Sequence, residues 1–315
     1  MSTRPYILFH GTCQAQQMCQ ILGAIPWIRE RFALWFGLNY PHIATGDIST
    51  PSPEMVVRCE HFFYQRHPAL VIPDYALQLI RRGNAIRIPP FVCGALWPQQ
   101  SDGLPDPRHP EYPQGLFPYG DQVLLSLMEQ KVEETTLLER YFAADLGKIF
   151  SLDEHLEHWR ALLDKLDNGA SFAVADWAWA VWRRRRLFWT IGHPTHEMFD
   201  FVIRRLLSLA FGSSVPPSQI TAALPAAESD FLMTPIHPSV ARAFQLAWFS
   251  GNLIYRHLDR FYTHREWALE YVRYILSVRA YCQQENVWPP PLKTWPGISP
   301  SGPVQNLGKA EAKHA

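Results

Sequence analysis

The sequence has no long apolar run. Nothing in it approaches the roughly 18 uncharged apolar residues that a helix needs to cross a bilayer, and Met1-Ser2-Thr3-Arg4-Pro5 leads into a short strand without the apolar stretch and cleavage site of a secretory signal. Net charge is missing as well. Lys and Arg number 29, Asp and Glu 29, in 315 residues, so no general attraction to nucleic acid or to an anionic membrane is implied. Cysteines are few and odd in number, five in all, with no disulfide-framework spacing, which points to a reducing compartment and a cytoplasmic protein. There is no internal repeat and no phosphate-binding glycine fingerprint: the opening turn holds one glycine, too few for G-x-G-x-x-G or a Walker pattern. Thirteen histidines come without H-E-x-x-H or paired C-x-x-C spacing, and no metal site is expected. Aromatic residues, by contrast, are abundant. Twelve tryptophans and 13% Phe, Trp and Tyr suggest a core of large rings together with an aromatic-lined groove.

Patterning predicts an α/β protein with a small parallel sheet in the N-terminal half and a large, mainly helical C-terminal part. Residues 1–120 read as the α/β core: strands at 6–9, 55–59, 70–72 and 84–88, and a helix over 74–82 stopped by Gly83. Residues 97–118 form a long Pro/Gly/Asp-rich loop whose Trp97, Tyr112 and Phe117, with Tyr119 just beyond, place it near the site. Residues 121–287 read as a helical region packed on that core, with helices over 121–131, 133–145, 151–167, 171–189, 195–211, 239–261 and 265–284. Residues 288–315 form a Pro-rich tail.

The opening segment carries the strongest chemical signal. Tyr6-Ile7-Leu8-Phe9 is followed by His10-Gly11-Thr12-Cys13-Gln14 and then by Ala15, Met18, Cys19 and Leu22 at helical spacing. Cys13 therefore opens a helix at the end of a strand, where free N–H groups and the helix dipole favour a thiolate and can hold an oxyanion. Cys19 lies on the buried stripe and reads as packing.

A second segment, Phe188 to His196, places His193 just before a helix that begins at Pro194 or Thr195. A histidine there can face a cleft and pair with a distant cysteine; the plainer alternative is a helix cap. His196 lies one turn along and reads as a supporting or exposed residue. Arg183-Arg184-Arg185-Arg186 ends a Trp-rich helix, either as a solvated face complementing the dipole or as a cradle for the phosphates of a cofactor. His155 and His158 lie on a charged helical face and read as solvated.

Gly11-x-Cys13-Gln14-Ala15, Thr190-x-x-His193-Pro194-Thr195 and Pro235-Ile236-His237-Pro238 together resemble the WcbI family of capsular polysaccharide biosynthesis proteins, and the turn resembles the nucleophile turn of SGNH-type hydrolases with cysteine for serine. The family's commoner Gly-Asn-Cys-Gln has Thr12 here, and Gly192 stands where an asparagine precedes His-Pro. The resemblance implies a cytoplasmic protein that takes coenzyme A or acetyl-CoA as substrate and acetylates a hydroxyl of a sugar or glycan, in peripheral association with capsule assembly proteins. It implies Cys13 as nucleophile or thioester neighbour, His193 as general base, and a turn of Gly11, Thr12 and Gln14 with His10 and His196 behind it. Arg183 to Arg186 become candidates for the CoA phosphates. Triad logic adds a group to orient the histidine, Asp121 or Asp200. Acetyl transfer through an acetyl-cysteine or directly to the hydroxyl, a Cys-dependent esterase or thioesterase, and a non-catalytic CoA-binding scaffold all remain open at this point.

Overall fold

The computed structural model describes residues 4–39, 49–66, 71–227 and 230–287; the expected tail over 288–315 and Leu70 lie outside them. By contact the chain divides into two compact units, Met1–Val92 with Ala161–Asp230, and Cys93–Arg160 with Phe231–Ala315. This interleaved division differs from the sequential boundary expected at 120/121. The first unit takes back the segment holding His193, because that segment packs on the sheet.

The first unit is built on four parallel strands: β1 (Tyr6–Gly11), β2 (Ala33–Leu38), β3 (Cys59–Gln65) and β4 (Ala85–Ile88). Their order is β2-β1-β3-β4, so the α/β expectation holds. Strand β1 pairs with β2 from Tyr6↔Ala33 to Gly11↔Leu38 and with β3 from Tyr6↔Cys59 to His10↔Tyr64. A central parallel strand is flanked on all sides, and accordingly β1 is buried along almost its whole length. The chain leaves β1 for one neighbour and returns to build the other, so the carboxyl ends of β1 and β3 form the switch point at which open α/β sheets take their ligands. The helix Cys13–Ala24 follows β1 directly, burying Ala15, Met18, Ile21 and Leu22. Gly11 permits this close turn: a Cβ there would stand 2.6 Å from that of Ala15. The expected helix at 74–82 is Asp74–Arg81, closed by Gly83 at φ +82°. The helix His196–Phe211 packs against β4 and buries Met198, Phe199, Val202, Ile203, Leu206 and Leu207.

Several expectations in this unit are corrected. Of the strand expected over 55–59 only Cys59 is in one: Ser52 accepts a hydrogen bond from the Met55 N–H, Pro53 sits at the first turn, and the helix Pro53–Val57 forms before β3 begins at Cys59. Val71 and Ile72 lie outside any strand, with Val71 93% exposed. Strand β2 had no counterpart in the sequence reading. The helix expected over 171–189 is only Ala175–Val181, because Leu187 to Thr195 pair back on themselves instead.

The second unit holds two antiparallel pairs, β5 (Gln100–Asp102) with β6 (Tyr119–Asp121) and β7 (Ile254–His257) with β8 (Arg260–Thr263). Its helices include Gln122–Met128, Glu134–Ala143, Pro238–Ala243 and His264–Gln284. The loop over 97–118 is built into this unit: Trp97 donates to the carbonyls of Thr234 and Pro235, and Phe117 packs among His257, Trp267, Tyr271 and Tyr274. The helix expected over 239–261 stops at Ala243, where Gln245 turns to φ +54°, and its remainder supplies the β7–β8 hairpin. His155 is buried and hydrogen-bonds to the Gly94 carbonyl at 3.0 Å, contrary to the solvated reading, whereas His158 is exposed. No helix of the described residues is long and apolar enough to cross a membrane.

Candidate active site

Cys13 stands at the first position of its helix, at the carboxyl end of β1. Thr12 is the N-cap, its hydroxyl accepting from the Gln14 N–H at 3.3 Å. The Cys13 side chain is half-buried. Burial pushes its thiol above the usual range, and the N–H groups of Gln14 and of Cys13 itself only partly offset this. The helix start thus supplies the donors expected of it, yet the resting group is a thiol and not the thiolate the sequence suggested. Cys19, one face away, is pushed up to about 12 by burial with no such donors.

The turn is held by a network of buried amides. Gln65 ends β3 and is 2% exposed; its Oε1 accepts from the Thr12 hydroxyl at 2.9 Å and the Thr12 N–H at 3.3 Å, and its Nε2 donates to Gln14 Oε1 at 3.1 Å and to the Pro89 carbonyl at 3.4 Å. Gln14 donates in turn to the carbonyls of Phe91 at 2.7 Å and Gly192 at 3.2 Å, and accepts from the Phe91 N–H at 3.3 Å. The amide of Gln14 is therefore engaged within the scaffold. At this turn the backbone N–H groups of Cys13 and Gln14 bond to the Cys13 sulfur, that of Gln14 shared with the Thr12 hydroxyl, and these are the donors an oxyanion would meet. Asn39, just after β2, donates its N–H to the Gly11 carbonyl at 2.9 Å.

The bond from Gln14 to Gly192 brings the second segment to the first, since Gly192 directly precedes His193. That segment is a tight loop. Phe188 bridges Pro194, the Trp189 N–H donates to the His193 carbonyl at 2.8 Å, and the Thr190 hydroxyl accepts from the N–H groups of Gly192 and His193 at 3.3 and 3.2 Å. Thr195 caps the following helix, which begins at His196 and not at Pro194 or Thr195, so His193 is not its cap. Burial lowers His193 to about 4, so its imidazole is neutral at physiological pH. His196 hydrogen-bonds to the Ala227 carbonyl at 2.9 Å, which fixes its ring. His10 meets the Tyr75 hydroxyl at 2.8 Å and is also lowered by burial to about 4.

The remaining candidates have other partners. Asp121 lies in the second unit, where Oδ1 accepts from the N–H groups of Val123 and Leu124 and Oδ2 from the Tyr141 hydroxyl at 2.7 Å. It caps a helix, and its burial raises it to about 6. Asp200 receives Arg204 Nε on both oxygens. The arginine run does not converge on one point: Arg183 lies over the Trp182 ring, Arg184 donates to the Ala180 carbonyl, Arg185 pairs with Glu197, and Arg186 donates to the Phe188 carbonyl. The sequence reading missed Gln65, Asn39 and Phe91. The available signal for Gln65 was a lone polar residue closing the apolar run Phe62-Phe63-Tyr64.

Replacing Gln65 by leucine removes the acceptor of the half-buried Thr12 N–H and hydroxyl. We expect a loss of about 2–4 kcal/mol from two unsatisfied groups, read as a shift in the denaturant midpoint with unchanged slope. An unchanged midpoint would show that the amide network is not what holds the turn.

Residues 6–211 match the family described as "Polysaccharide biosynthesis enzyme WcbI". No curated protein matches the chain. A solved structure of WcbI, called a novel polysaccharide biosynthesis enzyme and described as the native protein without a disulfide bond between coenzyme A and one of its cysteines, superposes with a TM-score of 0.60 at 19% identity, over 90% of this chain and 94% of that one.

Proposed function

The chain belongs to the WcbI family of polysaccharide biosynthesis enzymes, and from that premise we propose that it transfers an acetyl group from acetyl-CoA to a sugar hydroxyl in the making of a capsular polysaccharide. One observation supports this above others: the cysteine that opens the first helix at the sheet's switch point is tied through Gln14 to the loop bearing His193. The raised thiol must lose its proton as sulfur bonds to the acetyl carbon, and the neutral His193 imidazole is the base proposed to take it. Protonation of the departing CoA thiolate returns that proton. In the second half the sugar hydroxyl gives its proton to His193 as its oxygen takes the acetyl group from Cys13, and the imidazolium returns that proton to the departing Cys13 sulfur, which restores the resting thiol and neutral imidazole. Thiol and thioester exchange nearly evenly in energy, so neither half is steep. The N–H groups of Cys13 and Gln14 are the donors proposed to stabilise the oxyanion.

The test follows thiol release from acetyl-CoA by the full-length protein, with and without nucleotide-linked and lipid-linked sugars. Acceptor-dependent release supports the transferase. Equal release without any sugar would make the protein a thioesterase, and CoA binding with neither release nor an acetyl adduct would make it a non-catalytic binder; either result overturns the proposal.

A further inference from the structure

A cleft of about 300 Å³ in the first unit is lined by Arg66, Arg87, Pro90, Leu162, Lys165 and Leu166. Three cations face it and no acid does. Among the described residues none of the three enters an ion pair. The Asp167 carboxylate beside them gives one oxygen to the N–H groups of Val174 and Ala175. Arg87 is held by its surroundings. Its N–H donates to Ser171 Oγ at 2.9 Å, its carbonyl accepts from the Ser171 N–H at 2.8 Å, and its guanidinium lies against Gly169, where a Cβ would stand 2.7 Å from Nη1. Gly169 adopts φ +72°, a conformation open to glycine. Yet Arg87 Nε, buried, has no hydrogen-bond partner among the described residues, which is costly unless an acceptor arrives.

We propose that this cleft binds a phosphate or pyrophosphate group of the substrate, a proposal that rests on the reading of Cys13 as a site for acetyl-CoA and a sugar acceptor. Guanidinium forks match phosphate oxygens, and an anion here would satisfy Arg87 Nε and neutralise three like charges. Its position agrees. Arg66 follows Gln65, and Pro90 lies between Pro89 and Phe91, whose backbones Gln65 and Gln14 hold. The cleft thus opens at the carboxyl ends of β3 and β4, beside the turn that carries Cys13. It takes the role that the sequence assigned to Arg183 to Arg186. The phosphates of CoA and those of a nucleotide-linked sugar share this chemistry.

Calorimetric titration of the full-length protein with CoA, adenosine 3′,5′-bisphosphate, UDP and pantetheine separates the cases. The variants are Arg66→Gln with Lys165→Gln, whose side chains are exposed and leave the unfolding midpoint alone, and Arg87→Lys, which keeps the charge and loses the fork. We expect phosphoester affinity to fall about 10- to 100-fold in the double variant and about tenfold in Arg87→Lys, with pantetheine unaffected. Parallel losses for CoA and the bisphosphate identify CoA as the source; a loss confined to UDP identifies the sugar donor's nucleotide. Should CoA fail to bind the wild type while UDP binds with this dependence, the acetyl-CoA reading fails and the phosphate cleft stands. Wild-type affinity in both variants, or no binding of any phosphoester to the wild type, overturns the cleft.

Discussion

Cys13→Ala is expected to remove acetyl transfer almost completely, by on the order of 10³-fold or more in kcat/KM, while leaving the fold intact. The magnitude follows from the role. If sulfur carries the acetyl group, its loss leaves only binding and oxyanion donors, and what survives is the small residue seen when a nucleophile is deleted from a cooperating set. Stability is insulated because the residue is half-buried at a helix start, and the cap that matters there belongs to Thr12. Two readouts check the result. Intact mass after incubation with acetyl-CoA is expected to show an acetyl adduct in the wild type that the variant lacks, and thiol release is expected to drop in step with it. A variant retaining more than about a tenth of the wild-type rate would sink the covalent role, since a group that only shapes the pocket costs about one order of magnitude or less when trimmed by a single atom.

The site was legible where its signals are local. A buried strand, a one-glycine turn and a helix starting at Cys13 stand within nineteen consecutive residues, from Tyr6 to Ala24, and Thr195 caps its helix as short polar residues do. What escaped was decided by distant partners. Strand β2 is half-buried through most of its length and so shows neither an alternating nor a fully apolar pattern. Met55 to Val57 look like a strand by β-branching, yet the Ser52 cap and Pro53 turn them into a helix; misplacing that strand hid Gln65, which matters only because β3 ends beside β1. The Trp-rich segment carries helical spacing through residue 189, but the Phe188–Pro194 bridge and the Thr195 to Leu187 hydrogen bond are worth more to those backbone groups than further helical turns. The four arginines lie past the end of that helix, each with a different partner. Asp121 looked free to orient a histidine because nothing local shows that Tyr141, twenty residues on, will claim it.

Acidification is expected to unfold the protein cooperatively between about pH 6 and pH 4, well above the range in which carboxylates alone would do it. Burial holds His10, His193, His237 and His257 at about 4 and His264 at about 3, the last with help from the neighbouring His237. In the unfolded chain each titrates near about 6.5. Between the two values the unfolded chain binds more protons, so the stability these neutral rings contribute is whole above pH 6.5 and is lost as pH falls toward 4. Asp121 runs the other way: held at about 6 against an ordinary 3.8, it binds its proton better when folded, and its contribution declines as pH rises from 3.8 to 6. Asp167 is raised by burial in the same direction as Asp121, and His61 and His155 are lowered with the other five, so two carboxyls oppose seven imidazoles and the net slope is positive through the window. With roughly four protons taken up on unfolding at pH 5, stability falls by about 5 kcal/mol per pH unit, enough to exhaust an ordinary domain's margin within one to three units. Both units carry such rings, His10 and His193 in one and His237, His257 and His264 in the other, so tryptophan fluorescence and circular dichroism are expected to report the loss together. Proton uptake measured across the transition decides the cause: an uptake below about one proton per chain, or a midpoint under pH 4, would mean that these histidines are solvated and that the buried neutral imidazole assigned to His193 as base is wrong with them.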